Sequence, residues 1–190
     1  MNTPDDKKRL RQRLLRQRAA MPPQERSRRS AALQARLLAH LAQRTETQLA
    51  AYWPIRGEFD PLPAVRQWLA GDARRRAALP LAHKATHTLT FRRWQPGAAM
   101  AADDYGIPIP AAGEAMLPAL LLVPCVGFAP HGVRLGWGGG FYDRTLAALA
   151  ARGARPFALG LAFASSAAPQ LVRDAHDVPL EAILTDEGFA

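Results

Sequence analysis

The sequence lacks the features that mark disulfide-stabilised and membrane-spanning proteins. Its 190 residues include one cysteine, Cys125, so an internal disulfide is excluded and a reducing compartment is favoured. No apolar run approaches the ~18 residues that a membrane-spanning helix needs. The basic N-terminus is not followed by the apolar core of a signal peptide. We therefore expect a cytoplasmic protein without a membrane partner, and we interpret Cys125 as a small buried side chain.

Several catalytic signatures are also absent. There is no GxxxxGK[ST] phosphate loop, and Ser165-Ser166 lacks the Gly-x-Ser-x-Gly turn of the serine hydrolases. The histidines outside the first helices are spread over loops without the spacing of zinc ligands, at positions His83, His87, His131 and His176. These absences argue against a zinc enzyme and against a serine hydrolase.

Acidic residues are scarce in one segment only. Residues 7–29 contain ten Lys/Arg and one acid, a charge of +9 that equals the net charge of the whole chain. The rest of the chain has fifteen residues of each sign and is neutral. Such a segment suits a phosphate, a polyanionic ligand or RNA. It has no aromatic residue on which nucleic-acid bases would stack, which weakens the RNA interpretation.

Hydrophobic periodicity predicts an alternation of helices and strands. Helices are expected over about 4–20, 24–42, 63–69 and 144–151, and strands over 48–53, 76–81, 89–94, 120–123, 157–163 and 183–185. Residues 120–123 form an unbroken apolar run, which is typical of a central strand buried on both faces. We therefore predict an α/β fold over residues 1–190. It would be a single three-layer domain with a largely parallel sheet and helices on both faces.

A glycine-rich stretch, Arg134 to Asp143, is the most informative part of the chain. Glycines at positions 136, 138, 139 and 140 allow positive φ and close approach of the backbone to a ligand. A loop of this kind that leads into a helix N-terminus favours an anion, and Asp143 at its end suits a divalent cation. The alternative interpretation is a turn that only joins a strand to a helix.

Two further candidates follow the first predicted strand. Glu58 lies after a turn that contains proline and glycine, where its carboxylate would accept hydrogen bonds from ring or amino N–H donors. The alternative is a solvated loop carboxylate. Trp53 either stacks on a flat heterocycle or is an ordinary core residue.

Together these pieces resemble the 5-formyltetrahydrofolate cyclo-ligase (5,10-methenyltetrahydrofolate synthetase) family. The resemblance rests on Lys7 with Arg11, on Glu58, and on the Arg-Leu-Gly-x-Gly-x-Gly-aromatic-Tyr-Asp stretch that starts at Arg134. It continues in order through Leu79-Pro80, Leu89-Thr90-Phe91, Gly106-Ile107-Pro108, Gly160-Leu161-Ala162-Phe163 and His176-Asp177-Val178-Pro179.

The resemblance implies an ATP- and Mg²⁺-dependent ligase that cyclises 5-formyltetrahydrofolate, with the basic helix of about residues 4–20 contributing to the ATP site. The residues implied to bind ATP are Lys7, Lys8, Arg9, Leu10, Arg11, Arg134, Leu135, Gly136, Trp137, Gly138, Gly139, Gly140, Phe141 and Tyr142. Those implied to bind the folate are Trp53, Glu58, Tyr105, Trp137, Gly138, Gly139, Gly140 and Phe141. Asp143 and Asp177 are implied to hold Mg²⁺, and Arg134, Tyr142 and Asp143 to take part in catalysis.

Two other functions remain open on the sequence. One is an RNA-binding or regulatory protein that uses the basic segment. The other is an enzyme of the same fold that acts on another phosphorylated substrate or on a CoA compound. Under the leading interpretation we expect a monomer whose partner is a folate, with or without a polyglutamate tail, and no nucleic acid.

Overall fold

Two helices open the chain in the computed structural model, which describes residues 3–190. Helix α1 (Pro4–Ala19) begins with a capping box in which the Thr3 hydroxyl accepts from the Asp6 amide and the Asp6 carboxylate accepts from the Thr3 amide. Helix α2 (Pro23–Ala42) follows a break at Met21 and Pro22. Both helices confirm the sequence prediction. Met1 and Asn2, which the predicted domain includes, lie outside the described residues.

The rest of the described chain alternates between strands and helices. Strand β1 (Gln48–Ala50) leads through helix α3 (Leu62–Ala70) to a hairpin of β2 (Arg76–His83) and β3 (Thr88–Trp94). The following elements are β4 (Met100–Ala102), β5 (Pro108–Pro110), β6 (Leu120–Pro124), β7 (Gly127–Ala129), β8 (Val133–Leu135), helix α4 (Phe141–Ala151), β9 (Phe157–Leu161), a 3-10 turn (Ala164–Ser166), β10 (Ala182–Thr185) and β11 (Gly188–Phe189).

Seven strands form one sheet in the order β11-β10-β9-β6-β1-β2-β3. The five central strands are parallel, and β3 and β11 close the two edges in antiparallel pairing. Residues 120–123 of β6 are fully buried, as the unbroken apolar run predicted. The α/β class and the largely parallel sheet are therefore confirmed.

Helices cover both faces of this sheet. Leu33, Leu37 and Leu41 of α2 pack with α3 on the face that includes Leu120 and Leu122. On the other face, Leu146 of α4 packs with a second cluster that includes Leu121 and Val123. The predicted three layers are thus present. Helix α1 packs elsewhere, because its Leu10 and Leu14 contact the small β7–β8 hairpin.

Three predicted boundaries were wrong. The helix expected over 144–151 begins at Phe141, because Gly140 with φ of 67° serves as its N-cap. The strands expected over 48–53 and 157–163 end at Ala50 and Leu161. Beyond Ala50 the chain turns so that the buried Tyr52 hydroxyl donates to the Phe59 carbonyl. Residues 95–118 contain the antiparallel β4–β5 ribbon.

Candidate functional site

The glycine loop joins the β7–β8 hairpin to the N-terminus of α4. Gly138 and Gly140 have φ values of 97° and 67°, which L side chains rarely adopt. No side chain caps α4, so the amides of its first turn remain free to bind a ligand. Tyr142 and Asp143 lie in that first turn. The loop therefore has the geometry of an anion site at a helix N-terminus.

Helix α1 supplies cations to one side of this loop. Arg11 donates from Nε to the Gly136 carbonyl at 2.7 Å, and its guanidinium lies beside Gly138. Lys7 is held by Asp174 and Asp177, with Nζ–Oδ2 distances of 2.7 and 2.9 Å. Its side chain is 13% exposed, which is less exposed than a solvated helix face would be. Lys8 and Arg9 point to solvent, whereas Leu10 is buried.

Ion pairing shifts the pKa values of Lys7 and Asp177. Burial acts to lower the pKa of Lys7, but the two aspartates outweigh it and raise that pKa. Burial likewise acts to raise the pKa of Asp177, but the Asp174 amide and the Lys7 ammonium outweigh it, so that this pKa lies below its ordinary value. Both groups are therefore charged at neutral pH.

A second ion pair lies at the start of α4. Arg134, with a side chain only 6% exposed, makes two parallel contacts to Asp143, Nη1–Oδ1 at 3.1 Å and Nη2–Oδ2 at 2.8 Å. Asp143 Oδ1 also accepts from the Val178 amide at 3.0 Å. Because Val178 follows Asp177, this contact joins Asp143 to the backbone next to the second aspartate implied as a metal ligand. The neighbouring Tyr142 is partly buried in the core, and burial raises its pKa.

Glu58 lies at the other side of the loop. Its Oε1 accepts from the Trp137 indole N–H at 2.9 Å, and its Oε2 accepts from the Ile55 amide at 3.0 Å. Burial raises the pKa of Glu58, and these two hydrogen bonds only partly oppose that effect. The alternative of a solvated loop carboxylate is therefore wrong. Arg56 lies over the Trp137 ring, with its Cζ 5.1 Å from the ring centroid.

Of the remaining aromatic candidates, Trp53 packs against the core and Tyr105 lies at the exposed edge of the site. Trp53 is partly buried and packs against the α2–α3 side of the core. Tyr105 is 48% exposed and stands edge-on to Phe141, with ring centroids 5.7 Å apart. The tip of the β2–β3 hairpin joins this group, because His87 stacks on Phe141 and hydrogen-bonds to the Gly139 carbonyl at 3.2 Å.

Comparison with known protein families shows to which family the chain belongs. The model of the 5-formyltetrahydrofolate cyclo-ligase family matches residues 3–186. The chain belongs to this family. The cyclo-ligase of Haemophilus influenzae is 33% identical over 151 residues, which are 76% of this chain and 78% of that protein. The Escherichia coli K12 cyclo-ligase is 32% identical over 144 residues, covering 72% of this chain and 76% of that protein.

Solved structures of the family share the fold. A 5,10-methenyltetrahydrofolate synthetase from Mycoplasma pneumoniae has a TM-score of 0.75 and 26% identity, covering 95% of this chain and 99% of that one. The Aquifex aeolicus 5,10-methenyltetrahydrofolate synthetase has a TM-score of 0.74 and 27% identity, covering 96% and 91%. The chain is thus an enzyme of the ligase class with the cyclo-ligase fold.

Half of the cations in the basic segment make contacts within this cyclo-ligase fold. Five of its cations contact other parts of the protein, namely Lys7, Arg11, Arg18, Arg26 and Arg29. Lys8, Arg9, Arg13, Arg16 and Arg28 are exposed. Folding contacts therefore account for five of the ten cations in this segment. Among residues 3–190, no helix is long and apolar enough to cross a membrane.

Sequence reasoning missed three residues of the site. Arg18 continues the buried Leu10–Leu14 spacing on α1, and an arginine in an apolar stripe is a signal that the sequence already carried. Asp174, three residues before Asp177, was not singled out although it holds Lys7. Arg144 donates to the Gly139 carbonyl at 2.7 Å, a contact with no local signal.

Proposed function

We propose that this chain catalyses the ATP- and Mg²⁺-dependent cyclisation of 5-formyltetrahydrofolate to 5,10-methenyltetrahydrofolate, with ADP and phosphate as products. One observation carries the proposal. A single glycine loop has an arginine suited to phosphate on one side, Arg11, and a half-buried carboxylate suited to a heterocycle on the other, Glu58. An enzyme that phosphorylates a folate must bring these two ligands together at one loop.

The nucleotide end is proposed to lie between α1 and the N-terminus of α4. Arg11 and the loop amides would bind the phosphates, and Lys7 would join them by exchanging its aspartate partners for phosphate oxygens. Lys8, Arg9 and Leu10 would contribute from the same helix, and Leu135 and Trp137 from the loop. Membership in the cyclo-ligase family over residues 3–186 supports ATP as the co-substrate.

Asp143 and Asp177 fit a magnesium ion. Mg²⁺ is commonly bound by one or two carboxylates together with substrate phosphates and water. Residues 3–190 contain no cluster of three or more candidate ligand side chains, and the proposed site uses two carboxylates. When bound, the ion would shield the phosphate charges. Arg134 and Lys7, which now pair with these carboxylates, would then be available to the phosphates.

The folate end is proposed to lie around Glu58. Its carboxylate would accept N–H donors of the pterin, and Trp53, Trp137 and Phe141 would contact the flat ring. Tyr105 at the exposed mouth would contact the rest of the substrate. Gly138, Gly139 and Gly140 would touch both ligands, because they lie between the two ends.

The chemistry follows from this placement. An amide oxygen is a poor leaving group, so transfer of the ATP γ-phosphoryl group to the formyl oxygen makes it a good one and releases ADP. N10 then attacks the formyl carbon, forms the new C–N bond and releases its proton to solvent, after which the C–O bond breaks and phosphate leaves. Phosphoryl transfer depends on correct positioning of the two substrates and on stabilisation of the charge on the transferred group. Arg134 and the loop amides would provide both. Tyr142 stays protonated and shapes the site.

The direct experiment is a spectroscopic assay with 5-formyltetrahydrofolate, ATP and Mg²⁺. The product contains a conjugated amidinium and absorbs at longer wavelength than the substrate, so turnover appears as new absorbance. We expect no signal without ATP and none after chelation with EDTA. Absence of turnover in the complete mixture would instead favour a family member with another phosphorylated or CoA substrate.

A further inference from the structure

The Gly139 carbonyl of the glycine loop is held by two donors that the proposed reaction leaves without a role. Arg144 of α4 donates to it from Nη1 at 2.7 Å. His87, at the tip of the β2–β3 hairpin, has its Nδ1 3.2 Å from the same oxygen. Because a carbonyl oxygen only accepts, His87 must carry a proton on Nδ1. The two donors match the two lone pairs of this carbonyl, so its acceptor capacity is filled.

The hairpin that carries His87 is fixed against the start of α4. The His87 ring stacks on Phe141, with ring centroids 5.2 Å apart and ring planes inclined by 27°. At the start of β3, the Leu89 amide donates at 2.8 Å to the hydroxyl of the buried Thr145. The place of His87 beside the loop is therefore set by its packing on α4 and by a hydrogen bond to that helix, in addition to its contact with Gly139.

Holding this carbonyl fixes the direction of an amide. The Gly139 carbonyl and the Gly140 N–H belong to one planar peptide unit, and residues 3–190 contain no cis peptide bond. The two groups therefore point in opposite directions, and the Gly140 N–H faces away from His87 and Arg144. This N–H has no hydrogen-bond partner within the described chain. Since Gly140 is the N-cap of α4, the unpaired donor lies at the positive end of the helix dipole.

The other end of the loop shows the same arrangement. Arg11 donates from Nε to the Gly136 carbonyl at 2.7 Å, and the Trp137 N–H of that peptide unit has no partner among residues 3–190. Glycine peptide units rotate at little steric cost because no side chain restricts them. Donors on the loop carbonyls therefore restrict the directions in which the loop amides point.

We propose that His87 and Arg144 are positioning residues that hold the Gly139–Gly140 peptide unit with its N–H directed at a phosphate group of the bound nucleotide. A donor that is already oriented needs no reorganisation when negative charge develops beside it. His87 reaches the loop from a hairpin that lies 52 positions earlier in the chain. The identity of the anion rests on the proposed function, whereas the orientation of the peptide unit does not.

Four variants separate the donors from the other contacts of these residues. His87→Phe keeps an aromatic ring for Phe141 but has no N–H. His87→Asn keeps an amide donor near the place of Nδ1, and asparagine tolerates the φ of 52° found there. Arg144→Met removes the second donor. His83→Phe is the matched control, because His83 lies in the same hairpin and hydrogen-bonds to Thr90 instead of the loop. Circular dichroism checks that each variant folds.

The first test uses the unliganded protein. Glycine follows glycine only at 138–139 and 139–140, so a sample labelled with ¹³C and ¹⁵N in glycine alone gives two carbonyl–amide correlations. Sequential assignment of the uniformly labelled protein distinguishes the two. We expect the Gly139 carbonyl resonance to move upfield in His87→Phe, and further when Arg144→Met is added, because each change removes a hydrogen bond. His87→Asn and His83→Phe should stay close to the wild type. An unchanged carbonyl resonance in the double variant would overturn the proposal.

The second test adds ATP with Mg²⁺. Calorimetry should show that His87→Phe weakens ATP affinity by roughly two- to tenfold, the range of one neutral hydrogen bond, and leaves the affinity for 5-formyltetrahydrofolate unchanged. The Gly140 amide proton should move downfield when ATP binds to the wild type, and less so in His87→Phe. Equal loss of both affinities would indicate general damage to the loop and contradict the proposal.

Inorganic pyrophosphate separates this proposal from the proposed function. If the wild type neither bound ATP nor cyclised the substrate, the proposed function would fail. The same titration with pyrophosphate would then decide whether the Gly140 N–H binds an anion and whether His87→Phe weakens that binding. A Gly140 amide of the wild type that responds to neither ATP nor pyrophosphate would overturn the proposal.

Discussion

The charged groups on the two sides of the glycine loop have different kinds of partner. On the α1 side, two cations are in direct contact with carboxylates, in the pairs Lys7–Asp177 and Arg134–Asp143. On the other side, Glu58 is half-buried, touches only neutral N–H donors and has its pKa raised by burial. The first arrangement suits a ligand that brings its own charges, because the ion pairs can exchange partners. The second suits a neutral ring, because the carboxylate acquires donors that it otherwise lacks.

The largest expected effect lies in the loop that separates the two sides. Gly138→Ala and Gly140→Ala should each abolish turnover, because both glycines have positive φ and an added Cβ would approach Arg11 Cζ to 3.3 Å or Arg144 Nη1 to 2.6 Å. Absorbance measures turnover, calorimetry measures ATP affinity and circular dichroism checks the fold.

Gly153→Ala is the matched control for these variants. Gly153 follows α4, has φ of 78° and has nothing within 4 Å of an added Cβ. Gly153→Ala therefore introduces the same backbone strain as the loop variants, but at a position outside the site. A folded Gly138→Ala protein with normal rate and ATP affinity would show that the loop is only a connector.

The second effect concerns the neutral-ligand side. Glu58→Gln should weaken folate binding by roughly 10- to 100-fold, since a charged hydrogen bond contributes about 1.5–3 kcal/mol and the amide replaces an acceptor with a donor. ATP affinity should be unchanged. Calorimetry with each ligand separately measures both. Equal loss of both affinities would mean that Glu58 supports the whole loop and that the two sides are not separable.

The third effect tests the exchange of partners on the charged side. Lys7→Ala should raise KM for ATP and lower kcat, by up to about tenfold to a hundredfold, the equivalent of one charged hydrogen bond. Asp174→Asn is the informative companion, because Asp174 is more exposed than Asp177 and is not implied to hold metal. It should leave kcat intact and lower KM for ATP by freeing Lys7. A higher KM in Asp174→Asn would show that the pair orients Lys7.

The smallest effect is on stability, and its sign should differ between the two sides. The pKa of Glu58 is raised in the folded protein, so folding stability falls as pH rises through that pKa. The unfolding midpoint of Glu58→Gln relative to the wild type should therefore increase as pH rises from 3.5 to 7, by on the order of 2 °C. The pKa of Asp177 is lowered, so its contribution is present above the ordinary aspartate pKa and disappears as pH falls through the folded value.

Asp177→Asn should accordingly lower the midpoint at pH 7, by the equivalent of about 1 kcal/mol or less for a partly exposed pair. Thermal unfolding at pH 7 and pH 3.5 measures both variants. If the midpoints of both variants, relative to the wild type, changed in the same direction between pH 3.5 and pH 7, the comparison between the two sides would be contradicted.

Sequence reasoning succeeded where the signal was local. The first helix, the central strand at 120–123 and the glycine loop were all predicted from neighbouring residues. It failed at boundaries such as the start of α4, because the N-cap there is a left-handed glycine and not a capping side chain. It also passed over Arg18, whose position in an apolar stripe is visible in the sequence but whose hydrogen bonds to the Cys125 and Val126 carbonyls are not.

By itself, the sequence determined the α/β class, the family resemblance and the residue types of the site, because periodicity, glycine spacing and capping act over a few residues. Only the tertiary structure decided which charges meet. Lys7 and Asp177 are 170 positions apart, and Glu58 and Trp137 are 79 apart. Whether a carboxylate is paired with a cation or left among neutral donors depends on which segments folding buries against each other, and no local pattern encodes that.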